Sequence, residues 1–294
     1  MATAETIFRE AALIQLTATC WQVDKQLPPA LLAEVGNTDY LRGRKLLLSP
    51  DCTLPVKQVV GKARHYLRKI ALPFPITGCQ LVPKKLIPEI QEELQYLELE
   101  YNEAVNQFLY WYPEAIEAAR ENLADLFNDC DYPDADQLKN RFRFHWRYIT
   151  IGPTGSHILP PSIYREEVSK FRNLLEQARQ EAINSLREEF VNLISNLNDK
   201  LSGSADGKPK RLRDAAIENL RDFLDSFASR NLFQDDELSA LVEQCKSVIS
   251  GTSAREIRAS SQIRDDLRNG MNNIWQAIDG AFEDLPRRKL RYVA

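Results

Sequence analysis

The chain has 294 residues, enough for about two domain-sized units. Its composition, 44% hydrophobic and 27% charged, is typical of a folded globular protein and argues against a disordered or membrane-spanning chain. With 38 basic and 42 acidic residues the net charge is -4, so the molecule as a whole is not the cationic body that binds nucleic acid by bulk charge.

The five cysteines are odd in number and widely separated, with no CxxC pair. This pattern argues against a disulfide framework and against a zinc site. The N-terminal segment has neither the basic region nor the unbroken apolar stretch of a secretory signal, and no apolar run approaches the ~18 residues of a membrane span. We therefore expect reduced thiols, a cytoplasmic location and no membrane partner.

Short elements are predicted at the start of the chain from the spacing of apolar residues. They are a helix over residues 5–16, strands over 17–23 and 45–48, and a helix over 55–71. Pro73, Pro75 and Gly78 then predict an irregular connection.

The strongest periodic signal runs from Pro83 to Asp129, where apolar residues recur at intervals of 3 or 4. It predicts one long helix, or two helices broken near Pro113, because proline cannot donate the helical hydrogen bond. An unbroken helix would be about 70 Å long. Such a length is typical of a coiled coil or an elongated bundle.

Two shorter elements follow the long helix. Asp134 with Gln137 three residues later predicts a capped short helix that ends near Asn140. Over residues 141–148 basic and aromatic side chains alternate, which predicts a strand with one cationic and one aromatic face.

The second half changes character, since 13 of the 15 prolines lie before Ser162. It predicts four helices, over 162–201, 212–230, 235–249 and 254–285, with a flexible connection at 202–210. We expect a mixed α+β region over 1–161 and a helical bundle region over 162–294.

The predicted fold class is mainly α (α+β). Three long apolar stripes, Leu86–Leu126, Ile163–Leu197 and Ile257–Leu285, cannot remain open to water. We expect them to form an elongated antiparallel helical bundle with coiled-coil-like helices and a small β-sheet from the N-terminal half at one end. Association of copies of the chain into a homo-oligomer stays open.

Two basic groups are candidates for nucleic-acid contact, because arginines can hold phosphates while aromatics stack on bases. They are Arg141, Arg143 and Arg147 on the predicted strand, and Lys208, Lys210, Arg211 and Arg213 in the second half. Strand alternation separates the arginines from the aromatics, however, and favours an aromatic inner face with a solvated basic outer face.

Charge also suggests contacts with proteins. The segment from Pro83 to Asp129 has 11 acids and 3 bases, which indicates either a solvated face or an acidic docking surface for a basic partner. The candidate residues for that surface are Glu92, Glu93, Glu100 and Glu103. The C-terminal basic run comprises Arg287, Arg288, Lys289 and Arg291. It is either a solubilising tail or a group that docks onto nucleic acid or onto an acidic groove of a protein partner.

No motif in the sequence specifies a reaction. The chain lacks HExxH, GxSxG, the phosphate-binding GxxxxGK[ST] loop and the dinucleotide-binding GxGxxG loop. His65, His145 and His157 are not spaced as metal ligands. We expect no catalytic residue, metal or cofactor, although an enzyme of unrecognised type stays open.

A series of structural signposts carries a family resemblance. In chain order they are Leu72-Pro73-Phe74, Gly78, Leu81-Val82-Pro83, Phe108, Tyr112-Pro113, Tyr132-Pro133 and Phe142, after an early Trp21. Over about its first 150 residues the chain thus resembles a family of bacterial and phage proteins described only as a domain of unknown function. The resemblance implies protein partners, because genes of that family often lie beside a MoxR-type AAA+ ATPase and a von Willebrand A domain protein.

Two functions are compatible with the sequence features above. The first is a non-enzymatic scaffold or adaptor subunit that offers helix surfaces to an AAA+ ATPase or a von Willebrand A protein. The alternative is a nucleic-acid-binding subunit of a phage-related or defence complex.

Overall fold

The computed structural model describes residues 4–152, 158–201, 214–252 and 254–281, and over these residues the chain forms ten α-helices and six strands. The helices are α1 (Ala4–Glu10), α2 (Pro29–Ala33), α3 (Leu54–Ile70), α4 (Ile87–Leu123), α5 (Ala135–Lys139), α6 (Pro161–Leu201), α7 (Asp214–Arg230), α8 (Asp236–Ile249), α9 (Ala254–Ala259) and α10 (Ser261–Ala281). The strands are β1 (Ala11–Thr19), β2 (Asp24–Gln26), β3 (Arg44–Leu46), β4 (Leu72–Pro73), β5 (Gln80–Pro83) and β6 (Arg143–Ile149). The predicted mainly α class with a small sheet in the N-terminal half is confirmed.

The described residues divide into two compact units, each built from separate stretches of chain. The long-helix unit comprises Ile14–Lys69 and Leu86–Ile149. The bundle unit comprises Met1–Leu13, Ile70–Lys85 and Thr150–Ala294, within the described ranges. None of the helices in the part of the chain described is both long and apolar enough to cross a bilayer.

Four strands form one sheet in the order β4-β5-β1-β6, and β2 and β3 form a separate antiparallel pair. The inner position of β1 explains a wrong prediction, since a helix was expected as far as Leu16. Ala11, Ala12, Leu13 and Ile14 are all buried, so this unbroken apolar run belongs to a strand that is covered on both faces. Apolar runs of this length do not distinguish strand from helix in the sequence.

The helix α4 is a single helix of 37 residues and is not broken at Pro113. Pro113 lies on its exposed side, so water can solvate the backbone carbonyl four residues earlier that has lost its helical donor. The opposite side is buried along a stripe that includes Leu94, Tyr101 and Phe108.

The core of the long-helix unit is aromatic. Phe142 lies 5.3 Å from Phe108, measured between ring centroids, and Phe144 lies 5.2 Å from Tyr101. Trp21 packs edge-on against Tyr112 at 5.9 Å. Strand β6 therefore packs its aromatic face on α4, and this face is the inner one, as the alternation of basic and aromatic residues predicts.

In the bundle unit α6 packs on α7 and α10, and α10 also packs on α8. Phe190 of α6 is fully buried and stacks on Phe223 of α7 with ring centroids 5.7 Å apart. Two of the three predicted stripes, those of α6 and α10, thus pack together as expected. The prediction that the α4 stripe joins the same bundle is wrong, because α4 buries that stripe inside the long-helix unit.

The C-terminal helix predicted over 254–285 is divided into α9 and α10 at Ser260. The Ser260 hydroxyl accepts a hydrogen bond from the backbone N–H of Ile263 at 3.3 Å, as a helix N-cap does. The capping serine therefore starts a new helix where the apolar spacing alone predicts continuation. Residues 282–285 and the predicted flexible connection 202–210 lie outside the described residues.

Candidate functional site

One side of α4 combines large apolar side chains with carboxylates and is open to solvent. We call it the outer face of α4 and define it by seven residues: Glu92, Tyr96, Leu99, Glu103, Tyr110, Trp111 and Glu114. At about 100° of rotation per residue, all seven lie within about 60° of Tyr96 around the helix axis. They lie along one stripe on the side opposite the buried core, in two groups, 92–103 and 110–114.

The four apolar members of this face are well exposed. Tyr96, Leu99, Tyr110 and Trp111 have 63, 70, 74 and 55% of their surface accessible. The Tyr110 and Trp111 rings contact each other edge-on with centroids 5.0 Å apart. Isolated exposed apolar residues are ordinary, but here two exposed apolar pairs, Tyr96 with Leu99 and Tyr110 with Trp111, lie on one helix face about 16 Å apart along the axis, and folding leaves both unused.

The acidic members set the charge of the same face. Glu92, Glu103 and Glu114 are exposed and recur every eleven residues, which is three turns of an α-helix. The Glu103 carboxylate accepts a hydrogen bond from Gln107 Nε2 at 3.0 Å. Over its whole length α4 has nine acids and one base, so the exposed aromatics lie in a strongly negative field.

The four acids predicted as docking residues fall into two pairs. Glu92 and Glu103 belong to the outer face, where they are exposed. Glu93 and Glu100 also lie within about 60° of Tyr96, but on the flank of α4 that faces α3, where they are half-buried, and Glu100 forms an ion pair with Lys62 of α3. Glu100 is therefore engaged by another helix of the unit, whereas Glu103 bonds to Gln107 of its own helix and stays exposed.

Half-buried Tyr66 marks the flank where Glu93 lies. Burial raises the pKa of the Tyr66 hydroxyl, and the negative charges of Glu89 and Glu93 raise it further. The phenol therefore stays protonated at neutral pH. This flank is part of the packing between α3 and α4 and adds nothing to the outer face.

The arginines predicted for nucleic-acid contact lie at the start of β6 and along it. Arg141, Arg143 and Arg147 are exposed, and the Arg147 guanidinium donates from Nε and Nη2 to Gln15 Oε1 at 2.8 and 2.5 Å. Phe142 and Phe144 are buried, so they are not available to stack on bases. The other predicted basic residues lie outside the described residues, namely Lys208, Lys210, Arg211, Arg213, Arg287, Arg288, Lys289 and Arg291.

Groups that could perform chemistry are dispersed. No group of three or more histidine, cysteine or acidic side chains in the described ranges could hold a metal ion. All five cysteines are free, and burial raises the pKa of the Cys245 thiol to about 12. Burial also raises the pKa of Cys20, although Lys57 and Thr53 partly oppose the shift. Both thiols are protonated at pH 7 and are therefore weak nucleophiles.

The apolar part of the outer face was not predicted from the sequence, although the sequence contains a signal for it. The core stripe of α4 accounts for Leu94, Tyr101 and Phe108 but not for Tyr96 or Tyr110. Large apolar residues that fall outside the core stripe of a well-defined amphipathic helix indicate a second apolar surface.

Comparisons with known proteins give one result. A family model described as "Protein of unknown function (DUF3150)" matches residues 9–255 of the chain. No curated protein and no solved structure matches the chain.

Proposed function

The chain belongs to the DUF3150 family, and we propose that it acts there as a non-enzymatic adaptor subunit whose docking site is the outer face of α4. The observation that carries the proposal is the exposure of Tyr96, Leu99, Tyr110 and Trp111 on one face of an acidic helix. The proposal rests on this surface and not on the lack of a catalytic motif.

The chemistry of the outer face resembles that of protein interfaces. Tryptophan and tyrosine are enriched among the few residues that supply most of the binding energy, and carboxylates around them supply orientation and rate. Burying one such side chain contributes about 1.5 to 3 kcal/mol, whereas an exposed ion pair contributes about 0 to 1 kcal/mol. Affinity therefore comes chiefly from Tyr110, Trp111 and their apolar neighbours.

The partner that fits this face has a surface with apolar pockets flanked by lysines or arginines. We propose a MoxR-type AAA+ ATPase or a von Willebrand A domain protein. The support for this choice is the resemblance of the first half of the chain to a family whose genes often lie beside genes for these two proteins. In this arrangement the ATPase supplies the chemical work and this chain supplies a binding surface.

Co-purification of defined variants tests the proposal. The full chain, with an affinity tag, is co-expressed with the MoxR-type ATPase and the von Willebrand A protein of the native host. We expect the wild type to retain at least one of the two and the double variant Tyr110→Ala/Trp111→Ala to lose at least about 90% of it, since each side chain contributes about 2 kcal/mol or more at the centre of an interface.

Tyr40→Ala is the matched control, because Tyr40 is also a highly exposed tyrosine of the long-helix unit but lies outside α4. It should bind like the wild type. Both variants should keep the wild-type melting temperature, since exposed substitutions change stability by only about 0.5 kcal/mol. Retention of neither protein by the wild type, or equal loss in the control, would refute the proposal.

The nucleic-acid alternative has less support. Arg143, His145 and Arg147 are exposed on β6, but the aromatic residues that would stack on bases are turned inward. Binding through these arginines would be electrostatic and would weaken steeply with salt, with a log-log slope of about -0.9 per duplex phosphate neutralised. A gel-shift titration at several salt concentrations tests it, and no binding at low salt would exclude it.

A further inference from the structure

A polar cavity of about 430 Å³ lies in the long-helix unit, next to the point where β1 ends and β6 begins. Its lining includes Cys20, Trp21, Lys25, Leu47, Asp131 and Arg141, which come from four separate stretches of the chain, one of which contains β2. A volume of this size is in the range of about 300 to 1,000 Å³ that small-molecule sites occupy.

The only deeply buried acid in the described lining is already neutralised. Asp131 has 2% of its side chain exposed, and its two carboxylate oxygens are held by Lys25 and by Lys45, the latter with Nζ to Oδ2 at 2.7 Å. The Lys45 side chain is itself largely buried and donates a second bond to the Leu126 carbonyl at 2.6 Å. Lys25 is more than half exposed and uses only one of its three ammonium donors on Asp131.

Arg141 is the second cation of the lining and, unlike Lys25, has no acidic partner among the described residues. Its side chain is exposed and lines the cavity, and its guanidinium forms no ion pair with any acid of the described residues. The remaining carboxylate of the lining, Asp24, is bound to Arg44 with Oδ2 to Nε at 2.5 Å. The lining itself has two cations, Lys25 and Arg141, and two carboxylates, Asp24 and Asp131. Each carboxylate also binds a cation from outside the lining, Arg44 or Lys45, which leaves the charge of Arg141 uncompensated at the cavity.

Part of the lining is apolar. Trp21 is buried and packs edge-on against Tyr112, so its ring is a rigid surface, and Leu47 and Pro133 also line the cavity. A cavity with free ammonium and guanidinium donors and a rigid apolar wall fits a small ligand that has one anionic group and a compact organic body.

We propose that this cavity binds a small organic anion through Lys25 and Arg141, with its phosphate or carboxylate group between the two cations and its body against Trp21. Arg141 would form the paired hydrogen bonds that a guanidinium makes with either group. Lys25 would add a single charge-assisted bond. The site is separate from the outer face of α4 and does not depend on the proposed adaptor function.

Two probes, inorganic phosphate and succinate, test the proposal on the full chain at constant ionic strength. Binding is measured by the rise in melting temperature, because a ligand that binds only the folded state stabilises it, and by titration calorimetry. We expect saturable binding of at least one probe at millimolar concentration. Phosphate alone, succinate alone or both would each support the site and would identify the anionic group that it prefers.

Matched arginine variants locate the binding. Arg141→Gln should weaken binding of the effective probe at least about tenfold, because a hydrogen bond to a charged group is lost. Arg143→Gln removes the same charge two residues along the chain at an exposed position that does not line the cavity, and it should bind like the wild type. Lys25→Gln should weaken binding as well.

Two results would overturn the inference. One is the absence of saturable binding of both probes at millimolar concentration. The other is equal weakening by Arg141→Gln and Arg143→Gln, which would show that the probe responds to general surface charge. Because Arg141 has no ion pair to lose among the described residues, its substitution leaves the fold intact and a negative result remains interpretable.

Discussion

Asp235, just before α8, combines a helix cap with an ion pair. Its Oδ1 accepts a hydrogen bond from the backbone N–H of Leu238 at 3.1 Å and another from Arg187 Nη2 at 2.9 Å, while its Oδ2 accepts from Arg187 Nε at 2.6 Å. Burial, the largest single cause, would raise the pKa of this carboxyl, but the hydrogen bonds and charge of Arg187 together with the backbone N–H groups of Leu238 and Glu237 outweigh it and hold the pKa below its usual range.

The direction of this shift determines how stability depends on pH. A carboxyl whose pKa is lower in the folded protein than in the unfolded chain stabilises the fold at every pH above its unfolded pKa of about 3.9. This stabilisation is lost as the pH falls through the folded pKa. The same holds for Asp131. Burial, the largest single cause, raises the pKa of this carboxyl, but the hydrogen bonds and the charges of Lys25 and Lys45 together lower it by more.

Substitution of Asp235 by asparagine isolates the charge, because asparagine also caps helices well. Asp235→Asn should lower the free energy of unfolding by about 1.5 to 3 kcal/mol at neutral pH. The difference from wild type should narrow as the pH falls below about 4, because the carboxyl then binds a proton in the unfolded chain while the folded one keeps its charge, and it should reach its minimum once the pH has fallen through the folded pKa. Urea denaturation across this pH range measures both effects.

The neighbouring Asp236 is exposed in the first turn of α8 and provides the control. Asp236→Asn should change stability by no more than about 0.5 kcal/mol at any pH. A deficit of Asp235→Asn that stays constant with pH would contradict the assigned role of the Arg187 ion pair.

At the scale of one helix, the same substitution should destabilise the protein on one side of α4 and leave its stability unchanged on the other. Leu94 is fully buried and Leu99 is well exposed, although they lie only five residues apart. Leu94→Asp should unfold the long-helix unit, because it buries an unpaired charge. Leu99→Asp should leave the melting temperature and the far-ultraviolet circular dichroism unchanged. Normal stability of the Leu94 variant would mean that the faces of α4 are misassigned.

The same reasoning applies to α6 in the bundle unit. Phe190 is fully buried against Phe223, whereas Ile163 in the first turn of α6 is exposed. Phe190→Asp should abolish the cooperative thermal transition of the bundle unit, and Ile163→Asp should leave it in place. Equal solubility and stability of both variants would contradict the packing of α6 on α7.

For Pro113 we predict a substitution that stabilises the protein, unlike those above. It lies within α4 and costs the helix one backbone hydrogen bond, while its ring is exposed. Pro113→Ala should therefore raise the free energy of unfolding, by about 1 to 3 kcal/mol. Chemical denaturation measures the change. A loss of stability would indicate that the proline fixes a local bend on which the neighbouring packing depends.

Helices with a continuous apolar stripe could be predicted closely from the sequence. The bounds of α6 and α8 differ from the prediction by one residue at most, because Pro161 and the capping Asp235 mark where they begin. Strands β4 and β5 were missed, since elements of two and four residues next to prolines have no measurable period. They pair around Gly78, whose φ of 80° suits the turn.

At the scale of the whole molecule, contacts between distant residues were beyond sequence reasoning. The ion cluster of Lys25 and Asp131 joins residues 106 positions apart, and no local pattern marks either one. The division into two units also depends on which stripe packs on which, and amphipathic stripes do not specify their partners. The acidic character of α4 was visible in the sequence because charge, unlike packing, is additive along the chain.

The charge of α4 leads to a kinetic prediction for the proposed complex. If a basic partner meets the outer face, the association rate should fall as salt rises, while the dissociation rate should change little. A triple variant, Glu92→Gln/Glu103→Gln/Glu114→Gln, should weaken this salt dependence. Trp111→Ala should act mainly on dissociation. Stopped-flow or biosensor kinetics measure the association and dissociation rates of each variant. An association rate that does not depend on salt would contradict the electrostatic role of these acids.

The central claim is that the partner sits on the outer face of α4, and site-specific photo-crosslinking tests it most directly. Benzoylphenylalanine replaces Tyr110 in one protein and Tyr40 in another, and each is irradiated with the MoxR-type ATPase and the von Willebrand A protein of the native host. We predict a covalent adduct with one of these two proteins from position 110 and none from position 40. An adduct from position 40 alone, or none from either position, would contradict the account.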